Sequence, residues 1–427
     1  MKLNENDLYR ASTQFRQWSF TAEQLAAQRA KTNLQATERV KLNVARQRAQ
    51  RAQTADPDST SGNSGIDGSG ANTPNAVTSD KEVDCFTVAE ELTFLEDFCE
   101  RTIKLGRHCE FSVNVIATAV QFLRRFYLYN SPMTYHAQNI SRTAMFLAGK
   151  SEGEHKSLET FAAHISSEKT TVTPEHILAP EYLIVQALRF NFDVKHPFRA
   201  LKGGILELMS MANGKYDGPN HSNYPTAADL STAIHQVPRR TGGSDVRAAS
   251  DELTHRIMTE SYSKAAKILK ETAPLTDVYF LYTPSQIWLA AYLLADEPLA
   301  LFYLRVKLPQ ASPVFDKVLD ALRECAAILS SHRSFKNMVA SNAEEKAKID
   351  APHKAEVKRL IKKLKLCQDP DKVDLVKLNQ AQKRDAVQGE DLDEHKAKRR
   401  KMDREAFEKD SNAFWGPELS TNGAKPA

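Results

Sequence analysis

Residues able to carry chemistry are present but not gathered. The five cysteines, Cys85, Cys99, Cys109, Cys325 and Cys367, are odd in number, scattered, and form no CxxC pair. They predict free thiols in a reducing compartment rather than a disulfide framework. His108 and Cys109 lie near Cys99 in sequence. A structural zinc site needs two close ligand pairs, which this spacing does not supply, so no metal is expected. There is no GxxxxGK[ST] or GxGxxG phosphate loop, no HExxH, no GxSxG and no protein-kinase signature. Without a nucleophile–base pair or a phosphate cradle, the reading is of a non-enzyme with no catalytic residue and no cofactor. The chemistry left is recognition.

Two charged features bear on recognition. Lys396, Lys398, Arg399, Arg400 and Lys401 form a compact cluster with Lys383 and Arg384 upstream. It fits a nuclear localisation signal and equally a solvated tail. Further in, Val357, Leu360, Ile361 and Leu364 make an i, i+3, i+4, i+7 stripe on a Lys-rich helix ending before Pro370. Such a helix can lie on a membrane surface. More often it packs back on its own domain, which is the reading preferred.

The elements behind these features come from length and pattern. A chain of 427 residues, 41% hydrophobic and 26% charged, has room for two or three domains and material for a real core. The longest apolar run, Ile287 to Ala295, is far short of the ~20 residues a bilayer needs. Met1 to Arg16 has no apolar stretch of the kind a secretory signal requires. Ten Lys/Arg against four Asp/Glu give residues 1–53 a charge of +6, so the remainder of a +4 chain sums to −2. A basic arm on a mildly acidic body is not the profile of a dedicated nucleic-acid binder.

Apolar spacing is 3–4 throughout, with no alternating strand pattern, which predicts an all-α protein. From Val113 to Tyr129 the polar residues Asn114, Thr118, Gln121 and Arg125 form one narrow stripe, so this helix is expected at the centre of a bundle. Its start signal (Phe111 as staple, Ser112 as cap, Ile116 as partner) recurs 171 residues later as Tyr282, Thr283 and Ile287. Pro284 at the first helical position and Gln286 completing a capping box strengthen the second start. The repeat suggests a duplicated helical domain. A third such start, at Thr21 and Gln24 after Phe20, opens a polar Arg/Gln-rich helix that must dock on something or stay partly exposed.

Four segments then resemble the cyclins, and among them the H type, the regulatory subunits of the CDK-activating kinase, in fungal form. They are Gln14 to Phe20 with Glu23-Gln24-Leu25; Phe122 to Ser131 through Tyr135-His136 to Phe146-Leu147-Ala148-Gly149-Lys150; Ile177-Leu178 through Glu181, Leu183, Gln186, Leu188 and Phe190; and Leu275 to Ile287. The second and third are generic to cyclins, and the first and fourth point to the H type. The resemblance covers most of residues 9–30, 83–200 and 251–335.

The resemblance implies tandem five-helix cyclin boxes with flanking N- and C-terminal helices and two long disordered insertions. The implied domains are an N-terminal basic helical arm (1–53), a disordered linker (54–82), a kinase-binding first box (83–200), an inter-box linker and insertion (201–250), a second box (251–335), a C-terminal helix (336–370) and a charged tail (371–427). The capped apolar helices would be the central second helix of each box. Lys150 and Glu181 take the family's kinase-gripping positions, with Leu147, Phe190 and Phe192 as apolar surround. Trp18, Phe20 and Leu25 would dock the N-terminal helix. Implied partners are a cyclin-dependent kinase catalytic subunit, a RING-containing assembly factor and the TFIIH core, with no direct nucleic acid and no membrane; the implied location is the nucleus. The implied kinase substrates are CDK activation loops and the RNA polymerase II C-terminal domain.

Some residues depart from the pattern. Pro180 cannot sit mid-helix, so the fifth helix is expected to begin there, with Ala179 near the cap and Ile177-Leu178 before it. Ser151 replaces an apolar residue, and Thr87 to Leu105 holds no substrate-docking MRAIL patch. The stretch 211–250, with Pro219, Pro225, Pro238 and Gly242-Gly243, predicts surface loop. A two-box nucleic-acid-binding transcription factor and a bare helical scaffold are the rival readings. The first lacks a basic face on residues 251–335 and a CxxC zinc ribbon; the second leaves Lys150 and Glu181 unexplained.

Overall fold

In the computed structural model the described residues are 9–54, 83–166, 171–218, 225–239, 250–308, 314–369 and 375–377. The chain divides into two units, Met1–Val373 and Asp374–Ala427, and every helix named below lies in the first. The basic cluster Lys396, Lys398, Arg399, Arg400 and Lys401 lies outside the described residues, as does the linker from residue 55 to residue 82.

Among the described residues every regular element is helical. The N-terminal arm is α1, Thr13–Trp18, and α2, Ala22–Thr54. The first bundle comprises α3, Val88–His108; α4, Val113–Tyr129; α5, Ala137–Ser151; α6, Leu158–Ile165; and the short pair α7, Pro174–Leu178, and α8, Glu181–Ala187. The second comprises α9, Phe198–Ala212; α10, Ala227–His235; α11, Ser250–His255, which runs through a π-turn into α12, Tyr262–Glu271; the single turn α13, Val278–Leu281; α14, Pro284–Ala295; α15, Glu297–Lys307; and α16, Phe315–Ser331. Two further helices, α17, Arg333–Val339, and α18, Ala343–Cys367, close the unit.

Helix starts follow local chemistry. Capping boxes form at Thr21 with Gln24, Thr87 with Glu90, and Thr283 with Gln286. Each satisfies two backbone donors that a bare helix end would orphan. Most of the polar stripe of α4 is itself buried: Thr118, Gln121 and Arg125 are each at most 2% exposed, while Asn114 at the first turn is exposed. The buried part faces the seam between the bundles. Thr118 donates to Glu152 at 2.7 Å and lies 2.8 Å from His196, Gln121 donates to the Pro274 carbonyl, and Arg125 donates to the Asp193 carbonyl. Burial pushes His196 down to about 3, so its ring is neutral at ordinary pH.

The structure corrects the domain pattern in three places. The span 201–250, expected as linker and insertion, contains most of α9, which packs in the second bundle with Gly204 against Trp288. Within 211–250, α10 replaces part of the expected loop, opened by a capping box of Thr226 with Asp229 and buried through Leu230 and Ile234. The third correction concerns the repeat. One helix precedes α4 in its bundle, whereas two long helices, α9 and the α11–α12 helix, precede α14, with the short α10 between them and the single turn α13 after them. The 171-residue pairing therefore matches helices in different places, and by the order of the long helices α14 corresponds to α5, whose cap is His136.

The N-terminal arm lies on the seam. Trp18 and Leu25 are buried with Leu128 of the first bundle and Phe280 of the second, and Phe20, Tyr129 and Leu281 pack around them. Asp277 binds Arg29 of α2 through two contacts of 2.6 and 2.8 Å and also pairs with Arg124 of α4. Burial alone would raise the Asp277 carboxyl, but these two guanidinium groups hold it below the usual range. The C-terminal helix packs back as expected. Val357, Leu360 and Leu364 are buried, Ile361 sits at the rim, and Lys363 pairs with Glu90 at 2.9 Å and Asp84 at 2.8 Å.

Two measurements test this packing. A Cβ on Gly204 would lie 2.3 to 2.9 Å from three carbons of the buried Trp288 ring, while one on Gly203 would meet open space. Gly204→Ala should therefore cost about 1–3 kcal/mol in thermal unfolding, and Gly203→Ala should gain about 0.5–1 kcal/mol from helix propensity. Equal effects at the two positions would contradict the packing. Glu91 is the second case. It is buried on α3 and accepts from Ser131. Burial pushes its carboxyl up to about 7, against the pull of Ser131 and Asn33. The folded chain thus keeps a proton that the unfolded chain loses above about 4.5. Stability should fall as pH rises from about 4.5 to 7, by up to about 3 kcal/mol. Glu91→Gln should remove that slope in urea denaturation at pH 5 and pH 8; an unchanged slope would contradict it.

Candidate functional site

The candidate site is built where α5 ends and α8 begins. Inward-facing residues anchor this region: Ile177 and Ile184 are fully buried, and Thr143 of α5 donates to the Ile177 carbonyl at 2.7 Å. Pro180 breaks the helix, as its missing N–H and ring require. Pro180 itself occupies the cap position and α8 starts at Glu181, while Ile177 and Leu178 end their own short helix with Ala179 as its C-cap. The break turns Glu181 toward Lys150 on the last turn of α5.

Lys150 and Glu181 form an ion pair, with side chains 40% and 24% exposed. The Lys150 ammonium also sits 4.8 Å from the centre of the Phe146 ring, one turn back. A pair this exposed contributes about 0–1 kcal/mol to stability, so the fold does not require it. Both ends can exchange each other for an incoming partner.

The other expected residues divide. Phe190 projects outward at 58% exposure. Leu147, three residues before Lys150 on α5, is buried, and Phe192 turns inward with its ring edge against Phe122 at 6.1 Å. Two residues that pattern reading did not place here also face outward: Leu178, 42% exposed, and Tyr182, 65% exposed. Their positions around Glu181 alternate with the buried Ile177 and Ile184, which was the available signal. The result is a charged pair bordered by exposed apolar side chains, the composition of a protein-binding patch. Among the described residues no group of three or more His, Cys, Asp or Glu gathers to hold a metal ion, and no described helix is long and apolar enough to cross a membrane.

Two consecutive all-helical bundles with an N-terminal arm across their seam have the architecture of the cyclin fold. The cyclin N-terminal domain model matches residues 91–193 and the cyclin C-terminal domain model residues 196–330. Cyclin CCL1 of Saccharomyces cerevisiae is 29% identical over 308 residues, which cover 72% of this chain and 63% of that protein. Cyclin mcs2 of Schizosaccharomyces pombe is 26% identical over 324 residues, covering 74% of this chain and 79% of that one. A chain in the structure of the CAK complex from Chaetomium thermophilum bound to ATP-gamma-S aligns with a TM-score of 0.64 and 30% identity, over 92% of this chain and 99% of that one. The chain belongs to the cyclin family. Members of this family are regulatory subunits of kinase complexes rather than catalysts.

Proposed function

We propose that this chain binds a cyclin-dependent kinase and activates it as the regulatory subunit of a CDK-activating kinase. The observation that carries the reading is the exposed Lys150–Glu181 pair, with exposed Leu178 and Tyr182 flanking Glu181 in sequence and exposed Phe190 just past the end of α8. A kinase orients ATP only when the Glu of its αC helix pairs with its β3 Lys. A subunit that binds αC only in the inward position shifts the kinase toward that state. Lys150 offers donors and Glu181 acceptors to the backbone groups of such a helix, and the apolar residues cover its side. The likeness to a chain of a CAK complex supports the same partner.

The finer reading extends this along the H-type sequence resemblance. In that reading the chain works with a RING-containing assembly factor and the TFIIH core in the nucleus. There it promotes phosphorylation of CDK activation loops and of the RNA polymerase II C-terminal domain, in transcription initiation and cell-cycle control. Affinity capture of the tagged chain, followed by identification of stoichiometric partners, tests it. The expected result is one cyclin-dependent kinase together with a RING protein. Capture of a kinase without TFIIH subunits would remove the finer reading, and capture of no kinase would remove the whole.

A further inference from the structure

Just beyond α8, two consecutive non-glycine residues have positive φ: Arg189 at 54° and Phe190 at 57°. The first closes the helix. The Arg189 N–H donates to the Gln186 carbonyl at 2.8 Å and the Phe190 N–H to the Val185 carbonyl at 3.0 Å. This is a Schellman-type ending, in which the left-handed position ordinarily belongs to glycine. The second left-handed residue is not demanded by the ending, and it carries an aromatic ring out into solvent. Such conformations persist only where the surroundings over-determine them.

Those surroundings come largely from the N-terminal helix. The Arg189 guanidinium lies 5.1 Å from the centre of the Tyr129 ring and 5.9 Å from that of Trp18, and it donates to the Tyr129 hydroxyl at 3.2 Å. Asn191 donates both to the Arg189 carbonyl at 2.9 Å and to Gln17 at 3.0 Å. Gln14 accepts from the Lys195 N–H at 2.6 Å. Three side chains of α1 therefore clasp the segment that carries Phe190.

Resting on the kinase-binding reading above, we propose that Arg189 is a positioning residue, stacked between α1 and Tyr129 so that the left-handed pair holds Phe190 as a fixed apolar anchor for the kinase. The N-terminal arm thereby tunes partner affinity through a ring 58% exposed on the first bundle. A disordered anchor binds more weakly because its ordering must be completed on association.

A thermodynamic cycle on the full chain tests this, with kinase affinity measured by calorimetry for Phe190→Ala, Arg189→Ala and the double variant. Each single change is expected to weaken binding about 10-fold or more, the scale of an interface anchor. The double variant is expected to be no weaker than Phe190→Ala alone, because loss of the clasp has already released the ring. A residue with a merely structural or separate contact role would give multiplied losses, and that result overturns the proposal. Gln17→Ala and Arg189→Lys, which leave the buried Trp18 in place, repeat the cycle if Arg189→Ala unfolds. If Phe190→Ala binds like the parent chain while substitution of Lys150 and Glu181 destroys binding, the inference fails and the kinase-binding reading stands. If none of these changes matters, the reading itself fails.

Discussion

Exchanging the charges at the ion pair, Lys150→Glu together with Glu181→Lys, is expected to leave the melting temperature unchanged and to abolish kinase binding. The swapped pair can still close on itself, so any intramolecular contribution survives. It was small from the start, since both side chains are substantially exposed. Toward the kinase, each end now presents the wrong character, acceptors where donors belong and the reverse. Hydrogen bonds from charged groups are worth about 1.5–3 kcal/mol each. Losing two predicts a drop in affinity of at least about 100-fold. Titration calorimetry with the purified kinase subunit reads this directly, and the Lys150→Ala, Glu181→Ala double variant should behave alike. Retained affinity in the swapped chain would show that the pair is an ordinary surface bridge.

Asp296→Ala is expected to be the most damaging single change to stability. Asp296 takes both arms of Arg256, at 2.7 and 2.8 Å, with the two side chains only 9% and 6% exposed. Ser261 donates to the same carboxylate at 2.9 Å, and the carboxylate caps α15 through the Leu299 N–H. The π-turn Arg256–Ser261 makes this possible. Its wider turn brings residues i and i+5 to one face, which an α-helix would not. Arg256 also reaches the carbonyls of Val237 and Pro238, tying the stretch after α10 to the bundle. Removing the carboxylate strands a buried guanidinium, at a cost of about 3–5 kcal/mol. Urea denaturation should show that loss, with Asp296→Asn losing less. A loss below about 1 kcal/mol in Asp296→Ala would contradict the buried pair. Replacing both partners together, as Arg256→Met with Asp296→Leu, should recover much of the stability, because no charge then remains unpaired.

Much of this molecule is legible from local rules. Thr21 with Gln24, Ser112 and Thr283 with Gln286 cap the helices they announce, because a cap depends only on residues within one turn. The burial of α4 and of the Val357, Leu360 and Leu364 stripe on α18 follows from apolar periodicity alone. What escaped depends on tertiary context. The helix α10 buries only Leu230 and Ile234, too few to stand out among prolines and polar residues. A π-turn has no signature in a 3.6-residue period, so the union of Arg256 with Asp296 across 40 positions was invisible. At the candidate site, the break at Pro180 was readable. Its consequence, that Leu178 and Tyr182 stay outside while Phe192 turns in, depends on how the broken helix rests on α5.

The most direct measurement is the activity of a purified cyclin-dependent kinase subunit titrated with this chain, using a peptide of RNA polymerase II C-terminal repeats as substrate. The kinase should be nearly silent alone, with a rate that climbs with added chain and levels off at one chain per kinase, and the chain on its own should transfer no phosphate. A rate unmoved at saturating chain, or phosphate transfer in the absence of the kinase, would contradict it.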